Sequence, residues 1–124
     1  MALIALTEEN FEKTITENEV VIIDFWAAWC GPCKQYGPIF ESVSEEIPDV
    51  TFAKVNTDEE QGLASQFQIR SIPTTAVMKG QIVVFLQEGV FSEERLTEVV
   101  KKAQALDMEM VRKKLAEQEA AAGQ

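Results

Sequence analysis

The sequence of 124 residues contains no histidine and only two cysteines. Without histidine the chain can form no Ser-His-Asp triad, no Cys-His dyad and no His-bearing zinc site. Two cysteines are also too few for the disulfide framework of a small secreted protein. Any chemistry must therefore come from carboxylates, lysines, hydroxyls and two sulfurs.

Basic residues are few as well. Lys and Arg number 11 against 21 Asp and Glu, which gives a formal charge of −10. A field of this sign repels phosphate backbones, so we expect no nucleic-acid partner. No apolar run approaches the roughly 18 residues of a membrane span, and the first residues lack the basic region of a secretory or transit signal. These features predict a cytoplasmic protein with no membrane contact.

The hydrophobic content of 46% is typical of one globular domain. Helices are predicted after Thr7 as N-cap, from the cysteines to Pro48, after Asp58 in a capping box with Gln61, and after Ser92 as N-cap. Strands are predicted at residues 3–6, 20–26, 51–56, 75–78 and 82–86. This order predicts an α/β fold with a central mixed β-sheet flanked by helices, parallel in its centre and closed by an antiparallel hairpin.

Two local features refine this prediction. Pro38 lies inside the second predicted helix and should kink it. Lys79-Gly80-Gln81 joins the last two predicted strands, and the position of its glycine predicts either a turn resembling type II′ or a turn shifted by one residue.

The two cysteines lie in the run Trp29-Cys30-Gly31-Pro32-Cys33-Lys34, between a predicted buried strand and a predicted helix. Cysteines three residues apart at a helix start share one face, and their spacing suits a disulfide. Cys30 stands at the helix N-terminus, where unpaired N–H groups and the macrodipole stabilise a thiolate. Pro32 fits the first turn. The pattern indicates dithiol redox chemistry.

Two other interpretations of the pair remain at this stage. A zinc site would need two more ligands, which only a second copy of the chain or carboxylates could supply. The cysteines could also be a structural disulfide or two inert core thiols. We expect no bound metal.

The run from Asp24 to Lys34, together with Ile72-Pro73-Thr74, resembles the thioredoxin family with its WCGPCK active site. The similarity spans about residues 3 to 103. It implies a thioredoxin fold and a protein-disulfide reductase, an electron carrier in electron transport and cell redox homeostasis. Cys30 would attack the client disulfide and Cys33 would resolve the mixed disulfide, leaving a redox-active Cys30–Cys33 disulfide.

The resemblance also implies partners. Clients would be disulfide-containing proteins, and no cofactor would be bound. Reducing equivalents would come from NADPH through a thioredoxin reductase.

Two charged residues complete the predicted catalytic set. Asp24 lies in a strand expected to be buried on both faces, and burial raises the pKa of a carboxyl group. It matches the family's proton acceptor for the resolving cysteine, and Lys54 matches the lysine paired with that aspartate. The alternatives are an aspartate at an exposed strand end and a lysine that faces solvent.

The predicted substrate-binding residues follow from the same resemblance. The family has a cis peptide bond at the position of Ile72–Pro73, where neighbouring backbone groups pair with an extended client. An ordinary trans proline is the alternative. The full predicted set is Trp29, Gly31, Pro32, Ile72, Pro73 and Thr74.

The sequence departs from the family pattern at two places. Tyr36 and Gly37 stand where aliphatic residues are common, which predicts a different surface beside the cysteines. Beyond a domain at 1–105, residues 106–124 form a predicted helical extension with an apolar stripe at Met108, Val111 and Leu115. This extension would dock a partner or a second copy; alternatively, it is a lengthened terminal helix that packs on the domain or frays.

Two rival functions remain. An oxidase or isomerase would use the same chemistry, but Gly31-Pro32 accompanies reducing members of the family. A binding module or adaptor would use the fold and the C-terminal helix independently of redox chemistry.

Overall fold

The computed structural model describes residues 3–122. Five strands and four helices follow the predicted order βαβαβαββα, and a further helix follows them. Their bounds are β1 Ile4–Ala5, α1 Phe11–Glu17, β2 Val20–Trp26, α2 Gly31–Glu46, β3 Thr51–Asn56, α3 Gln61–Gln66, β4 Thr74–Lys79, β5 Ile82–Glu88, α4 Glu93–Ala105 and α5 Met108–Ala122.

The strands form one mixed sheet in the order β1-β3-β2-β4-β5. β3 pairs in parallel with β1 and β2, whereas β4 pairs antiparallel with β2 and β5. The predicted parallel centre and antiparallel hairpin are confirmed.

Helices cover both faces of the sheet, because strand β2 presents apolar side chains to both sides. Ile22 faces the core shared with α2 and α4, while Val21 and Ile23 face the core shared with α1 and α3. Such a strand reads as a continuous apolar run rather than as an alternating one. A polar residue within β2 therefore cannot reach water.

Two predicted helix starts are wrong. The N-cap position of α1 is Asn10, and Thr7 instead exchanges hydrogen bonds with Asn10 in the preceding turn. Asp58 does not cap α3, which begins at Gln61 without a side-chain cap. Ser92 is confirmed as the N-cap of α4, where its hydroxyl accepts the N–H of Arg95 at 3.1 Å.

The predicted turn type is also wrong. Gly80 and Gln81 both have positive φ, +56° and +67°, which is typical of type I′ rather than type II′. Helix α2 continues through Pro38 to Glu46. The kink at Pro38 stays a prediction.

The C-terminal segment is not one lengthened helix. α4 ends at Ala105, and Leu106 is extended. The Asp107 carboxylate then accepts the N–H groups of Glu109 and Met110. A side-chain acceptor of this kind starts a new helix, so α5 is a separate element.

A buried lysine fixes the junction between α4 and α5. Lys79 Nζ, at the end of β4, donates to the carbonyl oxygens of Gln104 and Leu106 at 2.8 and 2.9 Å. Met108 is buried, and Arg112 Nη2 lies 3.4 Å from the carbonyl oxygen of Gly80. The first turns of α5 thus pack against the β4–β5 hairpin, while most later residues are exposed.

No helix among residues 3–122 combines the length and apolar character that a membrane crossing requires.

Candidate active site

Cys30 and Cys33 form a disulfide at the N-terminus of α2, with Cα atoms 5.2 Å apart. Cys30 is the N-cap residue, and the backbone N–H of Cys33 donates to its Sγ at 3.2 Å. Pro32 occupies the first turn, where a missing N–H costs nothing. The predicted disulfide is confirmed.

Exposure does not distinguish the two cysteines, since each residue is only 4% exposed. The two sulfurs differ in their electrostatic surroundings. Sγ of Cys30 receives the Cys33 N–H at the helix N-terminus, and both features favour a negative sulfur there. It lies 3.7 Å from the carbonyl oxygen of Ile72. The structure thus favours Cys30 as the sulfur that carries the thiolate.

The predicted client-binding residues surround the disulfide. Trp29, Gly31 and Pro32 are exposed, and Ile72 packs against the cysteines. The Ile72–Pro73 bond is cis, as the resemblance implied. Thr74 is buried, and its hydroxyl donates to the Ser71 carbonyl oxygen at 2.6 Å.

A groove of about 380 Å³ lies beside the disulfide, lined by Trp29, Ile69, Arg70 and Ile72 among others. Trp29 is 70% exposed, yet its indole is held, because Nε1 donates to Asp58 Oδ2 at 3.0 Å. Sequence reasoning missed this role of Asp58. The two residues lie 29 positions apart and meet only through the fold.

Beneath α2, three strands place polar residues side by side. Lys54 of β3 and Thr75 of β4 are the register partners of Asp24 on β2. Two residues earlier on β2, Ile22 has Phe52 and Val77 as its register partners, and these three side chains belong to the α2–α4 core. Because residues two apart on a strand point to the same face, Asp24 and its partners face that core as well. We call Lys54, Asp24 and Thr75 the polar row.

Asp24 is fully buried, and neither carboxylate oxygen accepts a hydrogen bond from residues 3–122. Burial raises its pKa from 3.8 to about 7, against the opposing effect of Lys54. The expected burial is therefore confirmed, and an exposed strand end is excluded. A carboxyl group with this pKa can gain or lose a proton at neutral pH.

Lys54 connects the buried carboxylate with solvent. Its Nζ lies 3.9 Å from Asp24 Oδ2 and 4.9 Å from the centre of the Trp26 ring, and its side chain is 27% exposed. Gly37 lies beside it, and a Cβ at that position would make only an ordinary van der Waals contact with Nζ, at 3.8 Å. The alternative of a lysine facing only solvent is excluded.

Tyr36 lies in the core, contrary to the prediction that it alters the surface. Its ring is fully buried, and its hydroxyl lies 2.8 Å from Thr75 Oγ1. Burial raises the pKa of its phenol far above the usual value, so the hydroxyl keeps its proton. Helical spacing could have revealed this position, because Tyr36 follows Cys33 by three residues and precedes Phe40 by four.

Among residues 3–122 no group of three or more Cys, Asp or Glu side chains is arranged to hold a metal ion. The cysteine pair and the polar row thus account for the candidate chemistry.

Comparison with known proteins identifies relatives of this chain. The Thioredoxin family profile matches residues 2–102. The chain is 52% identical over 120 residues to a Streptomyces coelicolor protein assigned as thioredoxin 2, covering 97% of this chain and 90% of the relative. It is 39% identical over 103 residues to thioredoxin of Bacillus subtilis, covering 82% of this chain and 98% of the relative.

Solved structures agree with these sequence relatives. A mutant thioredoxin from Halobacterium salinarum superposes with a TM-score of 0.78 at 30% identity, covering 85% of this chain and 92% of that one. Plasmodium falciparum thioredoxin superposes with a TM-score of 0.75 at 34% identity, covering 82% and 98%. The architecture is the one shared by these proteins.

Proposed function

The chain belongs to the thioredoxin family and is a thiol–disulfide reductase of proteins, and we propose that Cys30 is its attacking cysteine and Cys33 its resolving cysteine. The observation that carries this assignment is the Cys33 N–H that donates to Cys30 Sγ at the start of α2. A donor aimed at one sulfur favours negative charge on that sulfur. A client can reach the pair, because Trp29, which precedes Cys30, and Pro32, which lies between the cysteines, are both exposed.

The proposed reaction has two exchange steps. In the first, the Cys30 thiolate bonds to one client sulfur, the client disulfide breaks, and the other client sulfur leaves as a thiolate. In the second, Cys33 loses its proton and its sulfur bonds to Cys30 Sγ. The bond between Cys30 and the client breaks, and the client leaves with both sulfurs reduced. The two electrons gained by the client come from the Cys30–Cys33 dithiol.

We assign the proton of Cys33 to Asp24. This carboxyl group is buried under α2, and its pKa of about 7 lets it accept a proton near neutrality. Lys54 stabilises the ionised form of Asp24 before the proton transfer, since its Nζ lies 3.9 Å from Asp24 Oδ2. With no histidine in the chain, this pair is the proposed proton-handling group.

Client proteins would bind across exposed Trp29, Gly31 and Pro32 and against the neighbouring segment Ile72–Thr74, in which Ile72 is half-buried and Pro73 and Thr74 are buried. Side-chain contact falls to Trp29, which the Asp58 carboxylate holds in place. Backbone groups of Ile72 would pair with an extended client segment, as in other strand additions. The Pro73 carbonyl accepts the Gly89 N–H and Thr74 is paired within the sheet, so these two residues would hold Ile72 in position. Supporting this is the contact of Ile72 with the cysteine pair.

For the electron source we propose NADPH acting through a thioredoxin reductase, with no resident cofactor. A reductase and disulfide-containing clients are the partners that the family implies. We also propose a cytoplasmic location and roles in electron transport and redox homeostasis. The proposed electron source is tested by measuring the reduction of insulin disulfides by the full chain with NADPH and a bacterial thioredoxin reductase. Loss of turnover in Cys30→Ser is expected, and turnover that survives it would contradict the function.

Finally, we propose a catalytic domain at residues 1–105 and a helical appendage at 106–124. The family match ends at residue 102, and α5 begins after a break in the helix. Half-buried Val111 and exposed Leu115 lie four residues apart on one face of α5 and would contact a partner helix or a second copy. Removing residues 109–124 should leave insulin reduction unchanged while lowering the number of chains per particle in analytical ultracentrifugation. The same number of chains per particle with and without the appendage would contradict the partner role.

A further inference from the structure

Two buried hydroxyl groups beside Asp24 have no part in the chemistry described above. They belong to Tyr36 on α2 and Thr75 on β4, and their oxygens lie 2.8 Å apart. Both residues are fully buried. Burying hydroxyls is unfavourable unless they are bonded, and aliphatic side chains would fill this space without that cost. A chemical role beside Asp24 explains why polar groups stand there.

Thr75 is directly opposite Asp24 in the antiparallel pairing of β2 and β4. Opposed residues of such a pair have Cβ atoms about 4.5–5.5 Å apart on one face of the sheet. Lys54 occupies the other side of Asp24. The carboxylate thus has a charged donor on one side and a hydroxyl on the other, and in the oxidised protein neither oxygen is bonded within residues 3–122.

The hydrogen positions of the hydroxyl pair follow from its acceptors. One hydroxyl donates to the other. When Thr75 donates to Tyr36, the phenolic hydrogen has no acceptor among the hydrogen bonds of the described chain. When Tyr36 donates to Thr75, the Thr75 hydrogen is left for Asp24. The second arrangement satisfies all three groups once Asp24 is charged.

We propose that Thr75 and Tyr36 are positioning residues for proton transfer at Asp24. Neither Asp24 oxygen is bonded to Thr75 in the oxidised protein. On ionisation of Asp24 its carboxylate would move into hydrogen-bonding distance of the Thr75 hydroxyl and accept a hydrogen bond from it, while Tyr36 donates to Thr75 from the other side. This inference rests on the proposed function of Asp24 as acceptor of the Cys33 proton. Tyr36 follows Cys33 by three residues, so the Cys33 thiol and the Tyr36 hydroxyl share one face of α2.

The Cys33 proton moves to the Asp24 carboxylate, and the sulfur bonds to Cys30 as the client sulfur leaves. Donation from Thr75 favours the charged carboxylate before the transfer and is released afterwards. The ionisable groups around Asp24 are Lys54 from β3 and Tyr36 and Cys33 from α2. The buried residues of α4 on this face, Leu96, Val99, Val100 and Ala103, are apolar.

The test removes both hydroxyls together. Tyr36→Phe with Thr75→Val conserves volume and leaves no unpaired partner, while Thr75→Ser keeps a hydroxyl as the matched control. The midpoint of Asp24 is followed by carboxyl ¹³C NMR, and resolution by release of the second client thiol in single-turnover stopped flow. In the double variant, the titration midpoint of Asp24 and the midpoint of the pH profile of resolution should both rise by about half a pH unit. Resolution should then be about threefold slower below the midpoint and unchanged above it.

Several outcomes would overturn the inference. One is an unmoved midpoint in the folded double variant, or in Thr75→Val alone should the double variant not fold. Another is a shift of equal size in the resolution profile when the same substitutions are made in an Asp24→Asn background, which would show that they do not act through Asp24.

Failure of the underlying function looks different. If Asp24→Asn resolves the mixed disulfide at the original rate at every pH, then Asp24 is not the acceptor and both proposals fail. If Asp24→Asn is slow while the hydroxyl-free variant keeps the original profile, only the role of Tyr36 and Thr75 fails.

Discussion

The ammonium group of Lys54 lies 3.9 Å from a carboxylate oxygen of Asp24 that is fully buried and accepts no hydrogen bond within residues 3–122. Desolvation therefore exceeds the attraction of the lysine, and the pKa of Asp24 rises to about 7. The fold keeps this carboxyl group at a cost in stability. The proposed transfer of the Cys33 proton to Asp24 would be the function that this cost serves.

Replacing Asp24 with asparagine should stabilise the fold. The pKa of Asp24 is about 7 in the folded chain against 3.8 as the ordinary value. The folded state therefore holds a proton that the unfolded state has lost between these values, and stability falls as pH rises through this interval. The full cost, about 4 kcal/mol, is present above pH 7. Urea unfolding of Asp24→Asn should show a gain of about 2 kcal/mol at pH 8.5, less than 4 because the amide is also buried.

The same gain should disappear as pH falls toward 4, because the folded state keeps the proton there and the unfolded state, with a pKa of 3.8, has regained part of its own. Ser44→Ala, a buried polar residue outside the polar row, is the control and should show no pH-dependent gain. A gain of equal size at pH 4 and pH 8.5 would contradict a charge effect.

Replacing Lys54 with methionine should shift the pH profile of resolution toward alkaline pH. Loss of the positive charge removes the influence that lowers the pKa of Asp24. We expect the midpoint to rise by about half a pH unit. Lys54→Arg keeps the charge and should leave the midpoint near its original value. Stopped-flow client release across pH 6–9 measures both variants, and equal midpoints in Met and Arg variants would exclude a charge role.

The two cysteines should differ in what they trap. Cys33→Ser should accumulate a mixed disulfide between Cys30 and a client, because the resolving thiol is missing. Cys30→Ser should trap almost none, since the Cys33 sulfur lacks the backbone donor that Cys30 has. Non-reducing electrophoresis and mass spectrometry of the trapped peptide read this out. Equal trapping by both variants would reverse the assignment.

Asp58 should affect client binding rather than chemistry. Asp58→Ala frees the indole of Trp29, which is held by one hydrogen bond of 3.0 Å. A net contribution of about 0.5–1 kcal/mol predicts a two- to fivefold rise in KM for insulin with kcat unchanged. Asp58→Asn keeps an acceptor and should stay near the original KM. A fall in kcat with constant KM would point to the chemical step instead.

Lys79 should stabilise the chain without affecting catalysis. Its ammonium is buried and donates to two carbonyls at the end of α4. Lys79→Met leaves both carbonyls without this donor, which should cost about 2–3 kcal/mol in urea unfolding. Lys102→Met, an exposed lysine paired only with Glu98, should change stability by less than about 0.5 kcal/mol. Insulin turnover at 25 °C should be unchanged in both.

Local sequence was enough to predict the catalytic cysteines and the burial of Asp24. Cys30 and Cys33 lie within one helix turn, so their spacing determines their geometry. Asp24 interrupts an apolar run, and a strand buried on both faces leaves it no route to water. For Lys54 only the family resemblance gave a role, because a sequence does not state which strands pair.

The residues that sequence reasoning missed depend on tertiary contacts. Asp58 was interpreted as a helix cap, whereas its carboxylate holds Trp29 across a loop. Tyr36 was expected at the surface, although its spacing from Cys33 and Phe40 places it inward. The separation of α4 from α5 had a local signal in Asp107 ahead of Met108, which acts as an N-cap. In Asp58 and Tyr36 the partner of the polar group is distant in sequence, Trp29 for the first and Thr75 for the second, and local sequence does not show such a partner.

The chain contains two tryptophans and a single tyrosine, and all three have been placed at the site. Trp29 flanks the disulfide, Trp26 lies under Lys54, and Tyr36 contacts Thr75. Near-ultraviolet absorbance, circular dichroism and indole emission of the unlabelled protein therefore originate almost entirely from the redox centre and its proton-handling layer. The molecule carries its own optical reporter, and oxidation, client capture and protonation can each be followed in it without an attached dye.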